Sequence, residues 1–258
     1  MNQLFVRTEI LDGGIGIVTI DRPARRNALS IAVKRQLAEA MAGLVADQDV
    51  RAIILTGANG VFVAGTDIAE MKDMQPASHA QLQTGAIFEQ LRSCGKVLLA
   101  AVEGYALGGG CELALACDLV IAGESAKFGL PEIRVGIMPG AGGTQMLLRA
   151  AGKHRTLRYV LTGDMIPAPQ ALSLGIVSEV VGEGEALRQA IALARRIVAM
   201  PPLSLRAIRD CVDYGLNAGL APSLAYERQA FVDLFATEDQ KEGMEAFLDK
   251  REAQYKGR

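Results

Sequence analysis

The chain has 258 residues but no tryptophan, and only 5% of its residues are aromatic. Residue types that commonly bind metals are also scarce, since the sequence holds two histidines and four cysteines. The cysteines lack the short paired spacing of a structural zinc site, so we expect no metal site and no metal or redox cofactor. These few candidate ligands are His79, His154, Cys94, Cys111, Cys117 and Cys211.

An excess of either charge is missing as well, because 27 lysines and arginines stand against 29 aspartates and glutamates. Such a balance offers no broad positive field for nucleic acid or for an anionic membrane. Long hydrophobic runs are absent too, since the apolar run from Leu113 to Cys117 is cut by Asp118. No basic segment followed by an apolar stretch opens the chain. We expect a soluble, cytoplasmic protein that acts on a small molecule, with neither a nucleic-acid nor a membrane partner.

Hydrophobic residues make up 50% of the sequence and charged ones 22%, which is enough to bury the core of a large domain. Short runs rich in β-branched residues predict strands. Three of these runs have the continuous apolar character of strands buried on both faces of a largely parallel sheet. The predicted strands are Ile15–Ile20, Ala52–Thr56, Val97–Val102 and Asp118–Ala122, of which the last three are the buried ones.

Helical patterns alternate with these strands, so the first half of the chain is predicted to be α/β. The clearest helix covers residues 30–45, with Ser30 as its N-cap. Four apolar residues recur along one face of this helix: Val33, Leu37, Met41 and Leu44. After Gly142 helical patterns dominate, and Pro201 and Pro202 separate two of them. We therefore expect a helical C-terminal part from about residue 200.

Two glutamates stand out because each is embedded among glycines and apolar residues. Glu112 lies in the segment Gly108–Leu113, and Glu132 lies in the segment Phe128–Ile133. An unpaired carboxylate is costly in such surroundings, so two of them indicate acid/base chemistry and hence an enzyme. The alternative is that either one is an ion-paired structural carboxylate.

Three glycine-rich stretches, residues 57–65, 104–110 and 136–143, need an explanation. None of them matches the phosphate-binding loop of nucleotide-binding proteins, and the start of the chain lacks the third glycine of a dinucleotide-binding fingerprint. The residues around Ser125 begin like a nucleophile elbow but end in a lysine. Glycines 108–110 instead suit backbone N–H groups that approach a ligand and stabilise an oxyanion. Close helix packing is the alternative for these three glycines.

Three segments resemble, in order and spacing, the signatures of the crotonase (enoyl-CoA hydratase/isomerase) family. These segments are Val61–Met71, Gly104–Ala114 and Phe128–Gln145. Shorter matches extend the resemblance over nearly the whole chain, at Arg22–Leu29, Leu161–Asp164 and Tyr255–Arg258. The resemblance thus rests on several motifs in series and not on one.

This resemblance implies a crotonase-like β-β-α spiral in residues 1–199, which holds the active site, and a helical C-terminal trimerisation region in residues 200–258. It also implies a homotrimer, or a homohexamer built as a dimer of trimers. The implied substrate is an acyl-CoA thioester, with no cofactor apart from the CoA of the substrate. Its thioester oxygen is expected to accept hydrogen bonds from the backbone N–H groups of Thr66 and Gly109, and losing one such donor typically costs about 10²–10³ in rate.

The presence of two glutamates points to one reaction within the family. Members that resemble hydratases keep both carboxylates, whereas many isomerases, dehalogenases and decarboxylases keep one or neither. The resemblance implies that Glu132 donates a proton to the α-carbon, while Glu112 orients and deprotonates the attacking water. We therefore predict an enoyl-CoA hydratase that converts a trans-2-enoyl-CoA into a 3-hydroxyacyl-CoA. A double-bond isomerase and an RNA-binding member of the same family are the two alternatives.

Other residues are implied to line the CoA path, mostly through backbone atoms: Arg26, Ala28, Ala64, Asp67, Ile68 and Ala69. Lys256 is a further candidate, for the CoA phosphates of a neighbouring subunit, and the alternative is that it belongs to a frayed, solvated tail. The chain departs from common family patterns in three places, because Ala69 replaces a lysine, Val61 a basic residue and Glu103 an asparagine. The last change either alters the surroundings of the active site or caps a strand.

The acyl group of the substrate is left open by the sequence. Its pocket is expected to form from residues 71–86 and the C-terminal helices. The C-terminal half of the chain resembles bacterial hydratases of phenylacetate-type degradation, while fatty-acid β-oxidation is equally compatible.

Overall fold

The structure is a computed structural model that describes residues 3–258, so the first two residues of the predicted spiral core lie outside the described residues. Within this range the strands are β1 (Val6–Leu11), β2 (Ile15–Ile20), β3 (Ala52–Gly57), β4 (Val97–Val102), β5 (Tyr105–Leu107), β6 (Leu119–Gly123), β7 (Lys127–Gly129), β8 (Ile166–Pro167) and β9 (Glu179–Val181). The α-helices are α1 (Ile31–Ala46), α2 (Ile68–Met71), α3 (Pro76–Gln81), α4 (Ala86–Arg92), α5 (Gly109–Leu115), α6 (Gly143–Ala151), α7 (Lys153–Thr162), α8 (Ala168–Ser173), α9 (Ala186–Val198), α10 (Pro202–Gly215), α11 (Leu220–Leu234) and α12 (Glu238–Asp249). Two 3-10 turns cover Pro23–Arg25 and Pro131–Val135.

The chain divides into two compact units, Met1–Leu193 and Ala194–Arg258. The first unit contains a six-stranded sheet in the order β1-β2-β3-β4-β6-β9. Strands β1 and β2 form an antiparallel pair, and the remaining neighbours are parallel. Strands β3 and β4 lie in the middle of the sheet and are buried along nearly their whole length. The strands predicted to be buried are therefore confirmed, because a central parallel strand is covered on both faces.

Helix α1 begins at its predicted N-cap, where Oγ of Ser30 accepts a hydrogen bond from the N–H of Val33 at 3.2 Å. The four apolar residues predicted for one face of this helix are all buried: Val33, Leu37, Met41 and Leu44. They belong to the hydrophobic core that also contains side chains of the main sheet. Burial of such side chains stabilises the fold by about 25 cal/mol for each Å² of apolar surface removed from water.

A second, smaller sheet joins β5, β7 and β8 in that order. Strands β5 and β7 are parallel, and β7 and β8 are antiparallel. The sequence did not reveal these strands, because two or three residues are too few to show an alternating pattern. This small sheet nevertheless positions both glutamates of the candidate site.

Helices α10, α11 and α12 form most of the second unit. The rings of Tyr214 on α10 and Tyr226 on α11 stack with centroids 4.6 Å apart. The buried carboxylate of Asp239 on α12 accepts hydrogen bonds from the N–H groups of Lys256 and Gly257, at 2.6 and 2.8 Å. Helix α12 lies in the part of the chain predicted to be helical, although the sequence did not mark it as a separate helix. Its Ala246 is buried, whereas the neighbouring Phe247 is 84% exposed.

No helix within residues 3–258 combines the length and the apolar character needed to cross a membrane.

Candidate active site

Strands β5 and β7 place the two glutamates in segments that start side by side. The strands are parallel neighbours, and the N–H of Gly108 donates to the carbonyl oxygen of Gly129 at 2.8 Å. Helix α5 follows β5 and carries Glu112 in its first turn, while the 3-10 turn that follows β7 carries Glu132. Because both segments leave the carboxyl ends of neighbouring parallel strands, the two acids emerge at one edge of the small sheet.

Glu112 is only 6% exposed, and its Oε1 accepts two backbone hydrogen bonds. The donors are the N–H of Ala141 at 2.7 Å and the N–H of Gly143 at 2.9 Å, both in the segment that leads into α6. A Cβ on Gly143 would lie 3.0 Å from Cγ of Glu112, so glycine permits this close approach. Since both hydrogen bonds within the described residues go to Oε1, the other oxygen is left to contact a water or a substrate.

Glu132 has a different environment. Its Oε2 is buried and has no hydrogen-bond partner among residues 3–258. Burial raises the pKa of Glu132 to about 7; a hydrogen bond to its own backbone opposes this rise, and the charge of Glu112 adds to it. A carboxyl group with a pKa near neutrality can both donate and accept a proton at physiological pH. The two acids therefore differ in the way that paired acid/base roles require.

Thr66 and Gly109 occupy matching positions on two neighbouring segments that run parallel. A parallel bridge pairs Val63 with Ala106, and the N–H of Val63 donates to the carbonyl oxygen of Tyr105 at 2.8 Å. Three residues beyond this bridge, one segment reaches Thr66 and the other reaches Gly109. Residues far apart in the sequence are thereby brought to the same place.

A glycine with positive φ precedes each of these two residues: φ is 114° at Gly65 and 51° at Gly108. This backbone region favours glycine and turns both segments at the same level. The amides of Thr66 and Gly109 donate to no acceptor in the described part of the chain. A Cβ on Gly109 would lie 2.8 Å from Oγ1 of Thr66, which shows how closely the two residues approach. Two unpaired N–H groups side by side can bind one oxygen atom of a ligand.

A cavity of about 920 Å³ lies in the first unit and is lined by Thr66, Gly108, Glu112 and Glu132. Its volume is that of a typical small-molecule site. Three residues predicted for the CoA path also line it: Ala64, Asp67 and Ile68. Three others are not among its lining residues: Arg26, Ala28 and Ala69. Lys256 belongs to the second unit, where it is exposed.

The carboxylate of Asp67 holds the loop that enters α2. Its Oδ2 forms an ion pair with Nη1 of Arg22 at 2.7 Å, and this hydrogen bond lowers the pKa of Asp67 below its ordinary value. Its Oδ1 accepts from the N–H of Ala69 at 3.1 Å and so caps α2. The fully buried Asn27 secures the same region by donating to the carbonyl oxygen of Val61 at 2.6 Å. The side chain of Asp67 is thus engaged in structure.

Glu103 caps a helix and not a strand, and it is not among the residues that line the cavity. Its Oε1 accepts a hydrogen bond from the N–H of Ala186 at 2.9 Å, so it caps the start of helix α9. A carboxylate is favourable there because the N-terminus of a helix carries partial positive charge. Gly123 makes room for it, since a Cβ at that position would lie 2.2 Å from Oε2 of Glu103.

Lys34 lines the cavity, although nothing in the sequence marks it. Its Nζ donates to the carbonyl oxygen of Thr84 at 3.3 Å and lies 5.8 Å from the ring centroid of Phe88. Burial lowers the pKa of Lys34, while the charges of Glu112 and Glu70 act in the opposite direction. A lysine in the first turn of an amphipathic helix ordinarily points to solvent. Its burial here depends on the packing of α4 against α1, which no local pattern reveals.

The stretch predicted to form the acyl pocket, residues 71–86, contributes six residues to the lining of the cavity. They are Met71, Lys72, Met74, His79, Thr84 and Gly85.

Within residues 3–258, no group of three or more histidine, cysteine, aspartate or glutamate side chains is placed to hold a metal ion.

The family model described as enoyl-CoA hydratase/isomerase matches residues 11–258. The 2,3-dehydroadipyl-CoA hydratase of Escherichia coli is 44% identical over 242 residues, which are 94% of this chain and 95% of the relative. The short-chain-enoyl-CoA hydratase of Clostridium acetobutylicum is 39% identical over 243 residues, or 93% of each chain. Among solved structures, an enoyl-CoA hydratase subunit from Geobacillus kaustophilus superposes with a TM-score of 0.95 at 40% identity, over 99% of both chains.

Proposed function

The chain belongs to the enoyl-CoA hydratase/isomerase family, and we infer that it acts as an enoyl-CoA hydratase, adding water reversibly to a trans-2-enoyl-CoA to give a 3-hydroxyacyl-CoA. The mechanism rests on one observation, the difference in hydrogen bonding between two acids on adjacent segments. Oε1 of Glu112 is held by two backbone N–H groups, whereas Oε2 of Glu132 is buried without a partner among the described residues. Hydration needs a base for the water and an acid for the carbon, and these two environments suit the two roles.

In this mechanism Glu112 takes a proton from the water as its oxygen bonds to the β-carbon. Glu132, whose pKa is raised to about 7 by burial, gives a proton to the α-carbon. The carbon–carbon double bond becomes a single bond, and one water is added in total. A proton then passes from Glu112 to Glu132, directly or through water, and restores the starting state. Positioned acid/base groups of this kind commonly contribute about 10²–10⁴ in rate.

The negative charge that develops on the thioester oxygen needs donors that are already in place. We assign this role to the amides of Thr66 and Gly109, which is supported by their matching positions and by their lack of acceptors within residues 3–258. The donors are oriented by the fold before the substrate binds, so little reorganisation accompanies the reaction. Backbone contacts of the CoA portion are assigned to Ala64 and Ile68, which line the same cavity.

The experiment that tests this function is an assay of purified protein with a panel of trans-2-enoyl-CoAs of increasing length. Loss of enoyl absorbance together with a product heavier by one water supports hydration. A shifted double bond with unchanged mass would favour the isomerase alternative instead. If no member of the panel reacts, the assignment is refuted.

Assembly into a trimer, or into a hexamer of two trimers, is part of the proposal. It is supported by the apolar side chains that helices α10 to α12 expose. Those more than 50% exposed include Ile208, Val212, Leu220, Leu224, Met244, Phe247 and Leu248. Exposed apolar surface of this kind is usually covered in an assembly. Light scattering coupled to size exclusion measures the mass, and a monomer at micromolar concentration would contradict the proposal.

A further inference from the structure

Lys34 is a cation that lines the cavity together with several apolar side chains. Leu29, Met71, Met74 and Phe88 line the same cavity. Within residues 3–258 the only hydrogen bond of its Nζ goes to the carbonyl oxygen of Thr84, a neutral acceptor, at 3.3 Å. A hydrocarbon chain gains nothing from such a neighbour, because a desolvated charge that lies in no ion pair costs free energy.

The carboxylates whose charges act on Lys34 are those of Glu112 and Glu70, and both already accept hydrogen bonds from other groups. Glu112 accepts hydrogen bonds from two backbone amides. Oε2 of Glu70 accepts from the N–H of Ile31 at 2.8 Å. Neither lies in an ion pair with Lys34 among the described residues, so its ammonium group retains the capacity to bind an anion from solution.

The side chain of Phe88 lies close to both Lys34 and Gly109, whose amide is assigned to the thioester oxygen. On one side, Cζ of Phe88 lies 3.8 Å from the place that a Cβ on Gly109 would occupy. On the other, the ring centroid is 5.8 Å from Nζ of Lys34. The same aromatic ring thus lies close to both Gly109 and the ammonium group of Lys34.

A second polar group stands at the same end of the cavity. Nδ1 of His79 lies 3.1 Å from Oγ1 of Thr84, and both residues line the cavity. The other cations of the lining are placed differently. Lys72 pairs with Asp73 and its side chain is 69% exposed, and that of Arg134 is 57% exposed. Lys34 is therefore the cation that faces the interior.

Building on the proposed hydratase function, we propose that Lys34 binds a carboxylate at the far end of the acyl chain, so that the preferred substrates are enoyl-CoAs of short dicarboxylic acids. The ammonium group and the carboxylate would neutralise each other inside the cavity. Hydrogen bonds between charged groups are about twice as strong as neutral ones. The apolar residues then contact the methylene groups between the thioester and the carboxylate.

Two substrates of equal carbon number test the proposal: trans-2-hexenoyl-CoA and trans-2,3-dehydroadipyl-CoA. We expect the wild-type protein to show the higher kcat/KM with the second, which ends in a carboxylate. Lys34→Met should lower the ratio of the two kcat/KM values at least tenfold, and Lys34→Arg should restore much of it. Lys153→Met, a change of an exposed lysine that does not line the cavity, should leave the ratio as it is.

Two kinetic results would overturn the proposal. The wild-type protein could show no preference for the carboxylated substrate. Lys34→Met could lower both kcat/KM values equally, which would make Lys34 a positioning residue for Glu112. If neither substrate is hydrated, the full panel of trans-2-enoyl-CoAs decides the hydratase function separately. In that case calorimetric binding of adipyl-CoA and hexanoyl-CoA still tests the subsite, because Lys34→Met should weaken adipyl-CoA alone by at least tenfold, and equal weakening would refute it.

Discussion

The place that a Cβ on Gly108 would occupy lies 2.8 Å from Oε1 of Glu132. Gly108 is also the N-cap of helix α5, whose first turn carries Glu112, and it has φ of 51° and ψ of −125°. L-residues with a side chain rarely adopt this conformation. Gly108 thus leaves room for Glu132 because it lacks a side chain. Its backbone conformation also begins helix α5, which presents Glu112.

Gly108→Ala should therefore damage catalysis more than stability. The new methyl group must displace the carboxylate of Glu132, and a misplacement of about 1 Å can cost about 10²-fold in rate. The backbone strain should add a loss of about 1–3 kcal/mol in the free energy of unfolding. Steady-state hydration kinetics and chemical denaturation measure the two effects.

The matched control is Gly13→Ala. Gly13 also has positive φ, 88°, but a Cβ there would meet no atom within 4 Å. This variant should lose a similar amount of stability and keep its kcat/KM. Equal losses of activity in both variants would show that backbone strain, and not displacement of Glu132, is the cause.

Replacing either acid by its amide should lower kcat by about 10²–10⁴, because an amide cannot exchange the proton that the reaction needs. The variants are Glu112→Gln and Glu132→Gln, assayed by loss of enoyl absorbance. Glu124→Gln is the control, since Glu124 is exposed and does not line the cavity. A full rate in either active-site variant would refute the assigned role while leaving the fold intact.

The raised pKa of Glu132, about 7, predicts the same pH dependence for the two directions of the reaction. Hydration starts with protonated Glu132, so its kcat/KM should fall as the pH rises through about 7. Dehydration of the 3-hydroxyacyl-CoA should follow the same profile, because the ratio of the two kcat/KM values equals the equilibrium constant, and a reaction that takes up no net proton has an equilibrium constant independent of pH. Profiles of kcat/KM report the free enzyme, which makes them the appropriate measurement. A hydration rate that stays level from pH 5 to 9 would contradict the assignment.

Asp67→Asn should loosen the loop that carries Thr66. The ion pair with Arg22 has side chains only 10% and 17% exposed, for Asp67 and Arg22 respectively. Hydrogen bonds to charged groups contribute about 1.5–3 kcal/mol, so we expect a loss of that order in unfolding free energy together with a lower kcat/KM.

Asp21→Asn provides the comparison for this change. Its ion pair with Arg7 is exposed, with side chains 31% and 59% accessible, and such pairs contribute about 0–1 kcal/mol. Thermal unfolding and kinetics of both variants at the same protein concentration measure the difference. Similar losses in the two variants would mean that Asp67 does not hold the loop.

Local patterns were sufficient for the longer elements of this fold. The N-cap at Ser30 and the apolar face of α1 are confirmed, as are the buried strands β3, β4 and β6. The family resemblance and the crotonase-like α/β fold, both stated from motifs, are confirmed by the family model and by the solved relatives. The short strands β5, β7 and β8 were missed because their formation depends on neighbours and not on their own composition.

The candidate site shows the same difference between what the sequence predicted and what required the fold. The motifs marked Glu112, Glu132, Thr66 and Gly109, and the fold places all four around or beside one cavity, but their catalytic roles stay predictions. Glu103 was misjudged because its partner, the first amide of α9, lies 83 residues away in the sequence.

The sequence by itself determined where the acidic residues and the glycines of the motifs stand, and to which family the chain belongs. Only the tertiary structure decided that Oε2 of Glu132 is buried without a partner among the described residues, that two backbone N–H groups hold Glu112, and that Lys34 is desolvated inside the cavity. The physical reason is that desolvation and hydrogen bonding depend on the atoms surrounding a group. In a fold of parallel strands joined by long crossovers, those atoms come from distant parts of the chain.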